Sequence, residues 1–218
     1  MNLKPLSLPY RYRPSKLPDS PPALFMFHGY GSNEDDLFGF APELPEELAI
    51  FSARAPYPLQ PYGYAWYAIY FDAQTGKFND TKEAIASREK IKTFISEATK
   101  TYDLDPTNIT LLGFSQGAIL SYAVSLTYPN LVKNCIALSG YVDPEMADSS
   151  QLASAKSKPN FYCSHGTVDQ VIPIEWARRT PEYLRTLGIQ TKLNEFPVGH
   201  GVAPENLRQL KAWLQERI

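Results

Sequence analysis

Cysteine is almost missing from the 218 residues: there are two, Cys135 and Cys163, and both stand inside apolar strand-like runs. A disulfide framework and a cysteine-based metal site are thereby excluded as organising devices. The pair reads as small core residues of a protein from a reducing compartment. An excess of one charge is missing as well. With 21 Lys and Arg against 23 Asp and Glu, the formal net charge is −2, which leaves no electrostatic footprint for nucleic acid or an anionic membrane. No apolar run is long enough for a membrane span, and Met1-Asn2-Leu3-Lys4-Pro5-Leu6 lacks the apolar stretch of a signal peptide, so the expected location is cytoplasmic. Repeats, low-complexity tracts and inter-domain linkers are also absent, and one domain over 1–218 is expected. A hydrophobic content of 44% is enough to fill its core.

What the chain does have is a serine between two glycines at a change of pattern. In Ile109-Thr110-Leu111-Leu112-Gly113-Phe114-Ser115-Gln116-Gly117-Ala118 a β-type apolar run turns into a helical one. Such a turn strains the serine backbone, and only small neighbours let strand and helix pack around it. The helix that follows aims unpaired N–H groups at the serine hydroxyl, an arrangement suited to a developing oxyanion. Upstream, Ala23-Leu24-Phe25-Met26-Phe27 runs into His28-Gly29-Tyr30-Gly31. A glycine-flanked loop in that place can bring a second backbone N–H to a substrate carbonyl, so Tyr30 and Gln116 are the candidate oxyanion donors.

Only three histidines exist, and they can be weighed singly. His28 lies in the proposed donor loop and is read as structural. His165, at the end of a strand-like run, is read as a satisfied, partly buried side chain. His200, in Gly199-His200-Gly201, follows both the serine and the acids, and its flanking glycines suggest a backbone that must come close to something. Asp169 lies in His165-Gly166-Thr167-Val168-Asp169-Gln170-Val171-Ile172-Pro173, where it could orient an imidazole or merely cap a helix opening near Ile174. Asp143 is the rival acid. The order Ser115, Asp169, His200 is that of α/β-hydrolases and not of chymotrypsin or subtilisin.

Along the chain, strands are expected near 23–28, 49–53, 109–114, 134–139, 159–164 and 190–196, and helices over 81–102, 116–127, 174–187 and 204–217. This alternation predicts a parallel sheet covered by helices. Ile85, Arg88, Ile91, Ile95 and Ala98 form the predicted buried stripe of the first helix, with Arg88 its polar exception. Residues 1–22 read as an edge strand or hairpin. The segment 55–71 crowds prolines and aromatics into what reads as a loop beside the ligand crevice. Trp66, Tyr67 and Tyr30 are the candidate substrate contacts, Trp66 foremost. No connection is long enough for a large helical cap, so an open cleft is expected.

The motifs at 28–31, 113–117, 165–173 and 199–201, in this order, resemble the phospholipase/carboxylesterase family of α/β-hydrolases, which includes the acyl-protein thioesterases. The likeness extends from about Pro22 to the C-terminus. It implies an α/β-hydrolase fold, a triad of Ser115, Asp169 and His200, an oxyanion hole from the N–H groups of Tyr30 and Gln116, no metal or organic cofactor, a small-molecule ester substrate and a homodimer. Tyr30 and Ser32 stand where the thioesterases usually carry Leu and Asp, and Ala118 where many members have Gly, so the chain looks more like the bacterial carboxylesterase branch. The expected activity is hydrolysis of small to medium carboxylic esters through an acyl-enzyme on Ser115. A lysophospholipase or acyl-protein thioesterase is the alternative, and a noncatalytic binder on the same scaffold a remote one.

Overall fold

Successive residues of a strand face opposite ways, and in Ala23-Leu24-Phe25-Met26-Phe27 that period of two decides how the molecule is layered. In the computed structural model, which describes residues 3–72 and 76–218, Phe25 and Phe27 pack with the first two helices on one face of the sheet. Leu24 and Met26 pack with the last helix on the other. All four side chains are fully buried, as expected of parallel strands covered on both sides.

The strands are β1 Tyr10–Arg13, β2 Ala23–Phe27, β3 Ala49–Ala53, β4 Tyr57–Pro58, β5 Tyr64–Ala65, β6 Ile69–Asp72, β7 Gly76–Asn79, β8 Ile109–Phe114, β9 Asn134–Leu138, β10 Asn160–Gly166 and β11 Leu193–Phe196. The helices are α1 Thr81–Thr101, α2 Gln116–Thr127, α3 Ile174–Thr186 and α4 Pro204–Gln215. Seven strands form the central sheet in the order β1-β3-β2-β8-β9-β10-β11. Only β1 runs antiparallel, pairing Tyr10 with Ala53 and Arg13 with Ile50 at the edge. Met1 and Asn2, part of the predicted edge segment, lie outside the described residues.

The strand order reverses between β2 and β8: the chain moves from β2 outward to β3, then returns to the other side of β2. In open α/β sheets a ligand crevice forms at such a switch point, beyond the carboxyl ends of the strands. The loop holding Tyr30 follows β2 and the turn holding Ser115 follows β8, so topology alone brings them together. All twelve residues of α2 are buried, which fits a helix wedged between sheet and neighbours. Among the described residues no helix is long and apolar enough to cross a membrane.

Two expectations need correction. The buried stripe of α1 is Ala84, Ser87, Ile91, Phe94, Ile95 and Ala98. Ile85 and Arg88 lie at its margin, and Arg88 donates to the Met146 carbonyl at 2.7 Å. A tolerant stripe of small residues, Ala84 and Ser87, hides from a pattern search that looks for large apolar ones. The segment 55–71 is also not a plain loop: β4 and β5 pair with each other, and β6 pairs with β7. The Phe71 side chain lies outside the described residues.

Candidate active site

Ser115 sits between β8 and α2 with φ 53° and ψ −117°. A non-glycine residue there stores strain, which persists only where the surroundings hold it. Its N–H donates to the Leu138 carbonyl at 2.9 Å, and its own carbonyl accepts from Ala118 at 2.9 Å. The flanking glycines act through packing. A Cβ at Gly117 would drive into the Phe27 and His28 carbonyls, and one at Gly113 into the Gly117 carbonyl. The elbow can therefore rest directly on the end of β2.

His200 Nε2 lies 2.9 Å from Ser115 Oγ, and His200 Nδ1 lies 2.7 Å from Asp169 Oδ2. With Nδ1–H donating to the carboxylate, Nε2 is left as the acceptor for the serine hydroxyl. Sequence spans 85 residues from serine to histidine and 31 from acid to histidine, and the fold closes both. The close approach anticipated at Gly199 and Gly201 falls elsewhere. Those two have room for a Cβ, whereas one at Gly166 would strike the Val198 and Gly199 carbonyls. The loops after β10 and β11 are stitched by Thr167 N–H to Phe196 O at 2.8 Å and Val168 N–H to Val198 O at 3.3 Å.

The Asp169 side chain is wholly buried. Its Oδ1 accepts from the N–H groups of Val171 and Ile172 at 2.8 and 3.0 Å, a turn within its own loop, while α3 itself opens on Pro173 with no side-chain cap. Burial pushes its carboxyl up, but the bond from His200 and the two backbone donors together outweigh it and hold the group below its ordinary value. His165, expected to be satisfied and partly buried, is wholly buried and half satisfied. Its Nε2–H donates to the Ile172 carbonyl at 2.9 Å and stands 3.3 Å from Asp169 Oδ2, while Nδ1 has no partner among the described residues. Asp143 does not reach His200; its carboxylate accepts from the Glu145 N–H at 3.1 Å in a separate loop.

The loop after β2 is fixed by a clamp. Gly31 N–H donates to Tyr64 O and Tyr64 N–H to Ser32 O, both at 2.9 Å. Arg54 pairs with the buried Glu34 and lies over the Tyr64 ring at 4.8 Å. Gly31 and Gly63 have φ of 81° and 86°, a region open to glycine and strained for other residues. His28 is buried, its Nδ1–H donating to Gly29 O and its Nε2 accepting from the Ala55 N–H; burial lowers its basicity. The N–H groups of Tyr30 and Gln116 have no acceptor among the described residues, and both residues border the cavity into which Ser115 and His200 open.

That cavity has a volume of about 400 Å³. Tyr30 stands 47% exposed at its mouth, and Tyr67 lines its interior. Trp66, expected foremost against substrate, is a correction: it is fully buried and absent from the lining. Its Nε1–H donates to the His28 carbonyl at 2.9 Å, and its ring meets Phe27 edge-on. The indole is drawn inward because its one donor finds a backbone acceptor beneath the elbow. A residue the sequence did not single out for its side chain is Gln116. Its Oε1 accepts from Trp66 N–H at 2.8 Å and its Nε2 donates to Tyr67 O at 2.7 Å, so one residue ties the elbow to the cavity wall.

Similarity to known proteins extends over most of the chain. A family model described as phospholipase/carboxylesterase matches residues 15–218. Acyl-protein thioesterase 1 of Kluyveromyces lactis is 30% identical over 174 residues, 74% of this chain and 75% of its own length. Carboxylesterase SOBER1 of Arabidopsis thaliana is 28% identical over 52% of this chain, and the match spans half of that protein's length. The crystal structure of esterase PE8 superposes with a TM-score of 0.80 and 26% identity, covering 97% of this chain and 99% of that one. A sheet with this strand order, an elbow at Ser115 and a family match over nearly the whole chain agree, and the chain belongs to the phospholipase/carboxylesterase family of α/β-hydrolases.

Proposed function

We propose that the protein is a serine carboxylesterase that cleaves small to medium carboxylic esters in two steps. The observation that carries this reading is the hydrogen-bonded chain Ser115–His200–Asp169, with bonds of 2.9 and 2.7 Å, opening into a largely apolar cavity. Ser115 Oγ attacks the ester carbonyl as His200 Nε2 takes its proton. Asp169, held in its charged form, balances the imidazolium. The N–H groups of Tyr30 and Gln116 receive the oxyanion, and the dipole of α2 adds to them. His200 then returns the proton to the departing alcohol. Water attacks the acyl-serine by the same route and frees the acid.

A cavity of about 400 Å³ accommodates a short or medium acyl group better than a long one. Reaction of a fluorophosphonate probe with the wild type, and its loss in Ser115→Ala with the fold retained, tests the nucleophile. Labelling that persists in the variant would place the nucleophile elsewhere. A panel of esters, thioesters and lysolipids separates carboxylesterase from thioesterase and lysophospholipase, since the triad serves all three equally. The expected order of kcat/KM is ester first.

A further inference from the structure

The far wall of the cavity is not apolar. Tyr67 is 1% exposed and borders the cavity, yet its hydroxyl has no hydrogen-bond partner among the described residues; only its backbone carbonyl is engaged, by Gln116. Tyr141 borders the same space, and its hydroxyl accepts from Asn79 Nδ2 at 3.1 Å. That bond leaves the Tyr141 proton free to donate. Burial raises both phenols above their ordinary value, so both keep their protons at neutral pH. The Tyr67 hydroxyl is reached from the cavity, so its hydrogen-bonding capacity is open to whatever fills that space.

The side of the cavity is fixed by the chemistry proposed above. The leaving oxygen takes its proton from His200, so the alcohol lies toward His200, Val171 and Ile172. The acyl chain turns the other way, to the wall that Gln116 holds in place through Tyr67 O. No lysine or arginine lines the cavity among the described residues. An anionic tail would find no counter-charge there, whereas a neutral oxygen would meet two O–H donors.

We propose that Tyr67 and Tyr141 are specificity-determining residues that select esters whose acyl chain carries a neutral oxygen acceptor, such as a keto group, a few carbons from the ester. This rests on the esterase reading of Ser115. An unpartnered phenol has a further consequence: Tyr67→Phe removes a hydroxyl that makes no bond to the protein, so the variant loses selectivity without losing stability.

The test compares ethyl pentanoate, its keto analogue ethyl levulinate and the anionic monoethyl succinate. Each kcat/KM is divided by the rate of hydroxide-catalysed hydrolysis to remove intrinsic reactivity. The wild type is expected to favour ethyl levulinate over ethyl pentanoate about tenfold, the worth of one or two good hydrogen bonds, with monoethyl succinate poorest. The levulinate-to-pentanoate ratio is expected to fall to about twofold or less in Tyr67→Phe, which should melt no lower than wild type, and to fall also in Tyr141→Phe. A wild-type ratio near one, a ratio unchanged in both variants, a clear drop in the Tm of Tyr67→Phe, or a preference for monoethyl succinate overturns the inference while leaving the esterase reading intact. Absence of both ester turnover and fluorophosphonate labelling removes that reading and the inference with it.

Discussion

Two neighbouring strands, β9 and β10, each deliver an aspartate into the loop beyond their carboxyl ends, and only one of these meets His200. Asp143, after β9, is half-buried beside Trp176 and Arg179 in a second cavity and accepts a backbone N–H from Glu145. Burial raises its carboxyl. Asp169, after β10, has its side chain wholly buried, yet its carboxyl is lowered, because His200 and two backbone N–H groups donate to it. Burial acts in the same direction on both. What separates them is the number of donors, and therefore the backbone of the loop: Gly166 lets the β10 loop lie against the β11 loop, and Asp169 Oδ1 closes a turn on Val171 and Ile172. An acid suits an imidazolium only where the fold has already supplied the hydrogen bonds that keep it charged.

Replacing each carboxylate by its amide is the strongest way to break this comparison. Asp169→Asn keeps the shape but cannot balance His200 as it becomes charged, and it offers the wrong partner for Nδ1–H. A loss on the order of 10³ in kcat is expected at neutral pH, with KM little changed, since the charge exists only as the transition state forms. Asp143→Asn should remain within a few-fold on ethyl pentanoate. The reverse ranking in steady-state kinetics would transfer the acid's role to the earlier loop.

The site was legible in the sequence wherever chemistry forces a local signature. The elbow needs Gly113 and Gly117, the donor loop needs Gly31, and chain order singles out His200. The strands at 49–53 and 109–114 follow from apolar runs of the right length, whereas the order of strands in the sheet does not. What stayed hidden depends on partners distant in sequence. Trp66 looks like a cavity residue until the His28 carbonyl, 38 residues earlier, is seen to take its Nε1–H. Gln116 announces its backbone in the motif and conceals that its side chain holds the Trp66 N–H and the Tyr67 carbonyl. Nor could sequence distinguish Asp143 from Asp169 by donors, because two of those belong to a turn and the third to a loop 31 residues on. The buried position of Trp66 gives the next prediction: Trp66→Ala should lose about 3–5 kcal/mol of stability, and whatever rate survives should fall alike on short and medium esters. A selective loss on medium chains, with stability kept, would return Trp66 to the cavity.

A smaller effect sharpens the contrast between the acids through pH. Because Asp169 is held below its ordinary value, its carboxylate stays charged above about pH 4 and adds nothing to a loss of rate above that pH. The acid limb of log kcat/KM against pH should therefore have a slope of about one. A limb of slope two would mean that the carboxylate titrates together with the histidine, and the donors to Asp169 would then fail to separate it from Asp143.

The smallest expected effect lies in stability and has opposite signs for the two acids. Asp143 has a native value raised above that of the unfolded chain, about 3.9, so between the two values the folded protein holds the extra proton. Stability contributed by that proton is present at low pH and lost as pH rises through the native value, leaving an ionised, half-buried carboxylate that is unfavourable at pH 7. Asp143→Asn should therefore be slightly more stable than wild type at pH 7, by urea midpoint, and the gain should vanish below about pH 4. Asp169 has a lowered native value, so its contribution is present above the unfolded value and disappears as pH falls through the native one. Asp169→Asn should be the less stable protein at pH 7, with the deficit shrinking in acid. If Asp143→Asn were instead destabilised equally at both pH values, the bond from the Glu145 N–H would outweigh the cost of burying the charge. Asp143 would then be a satisfied acceptor like Asp169, and the two loops would differ only in whether a histidine comes within reach.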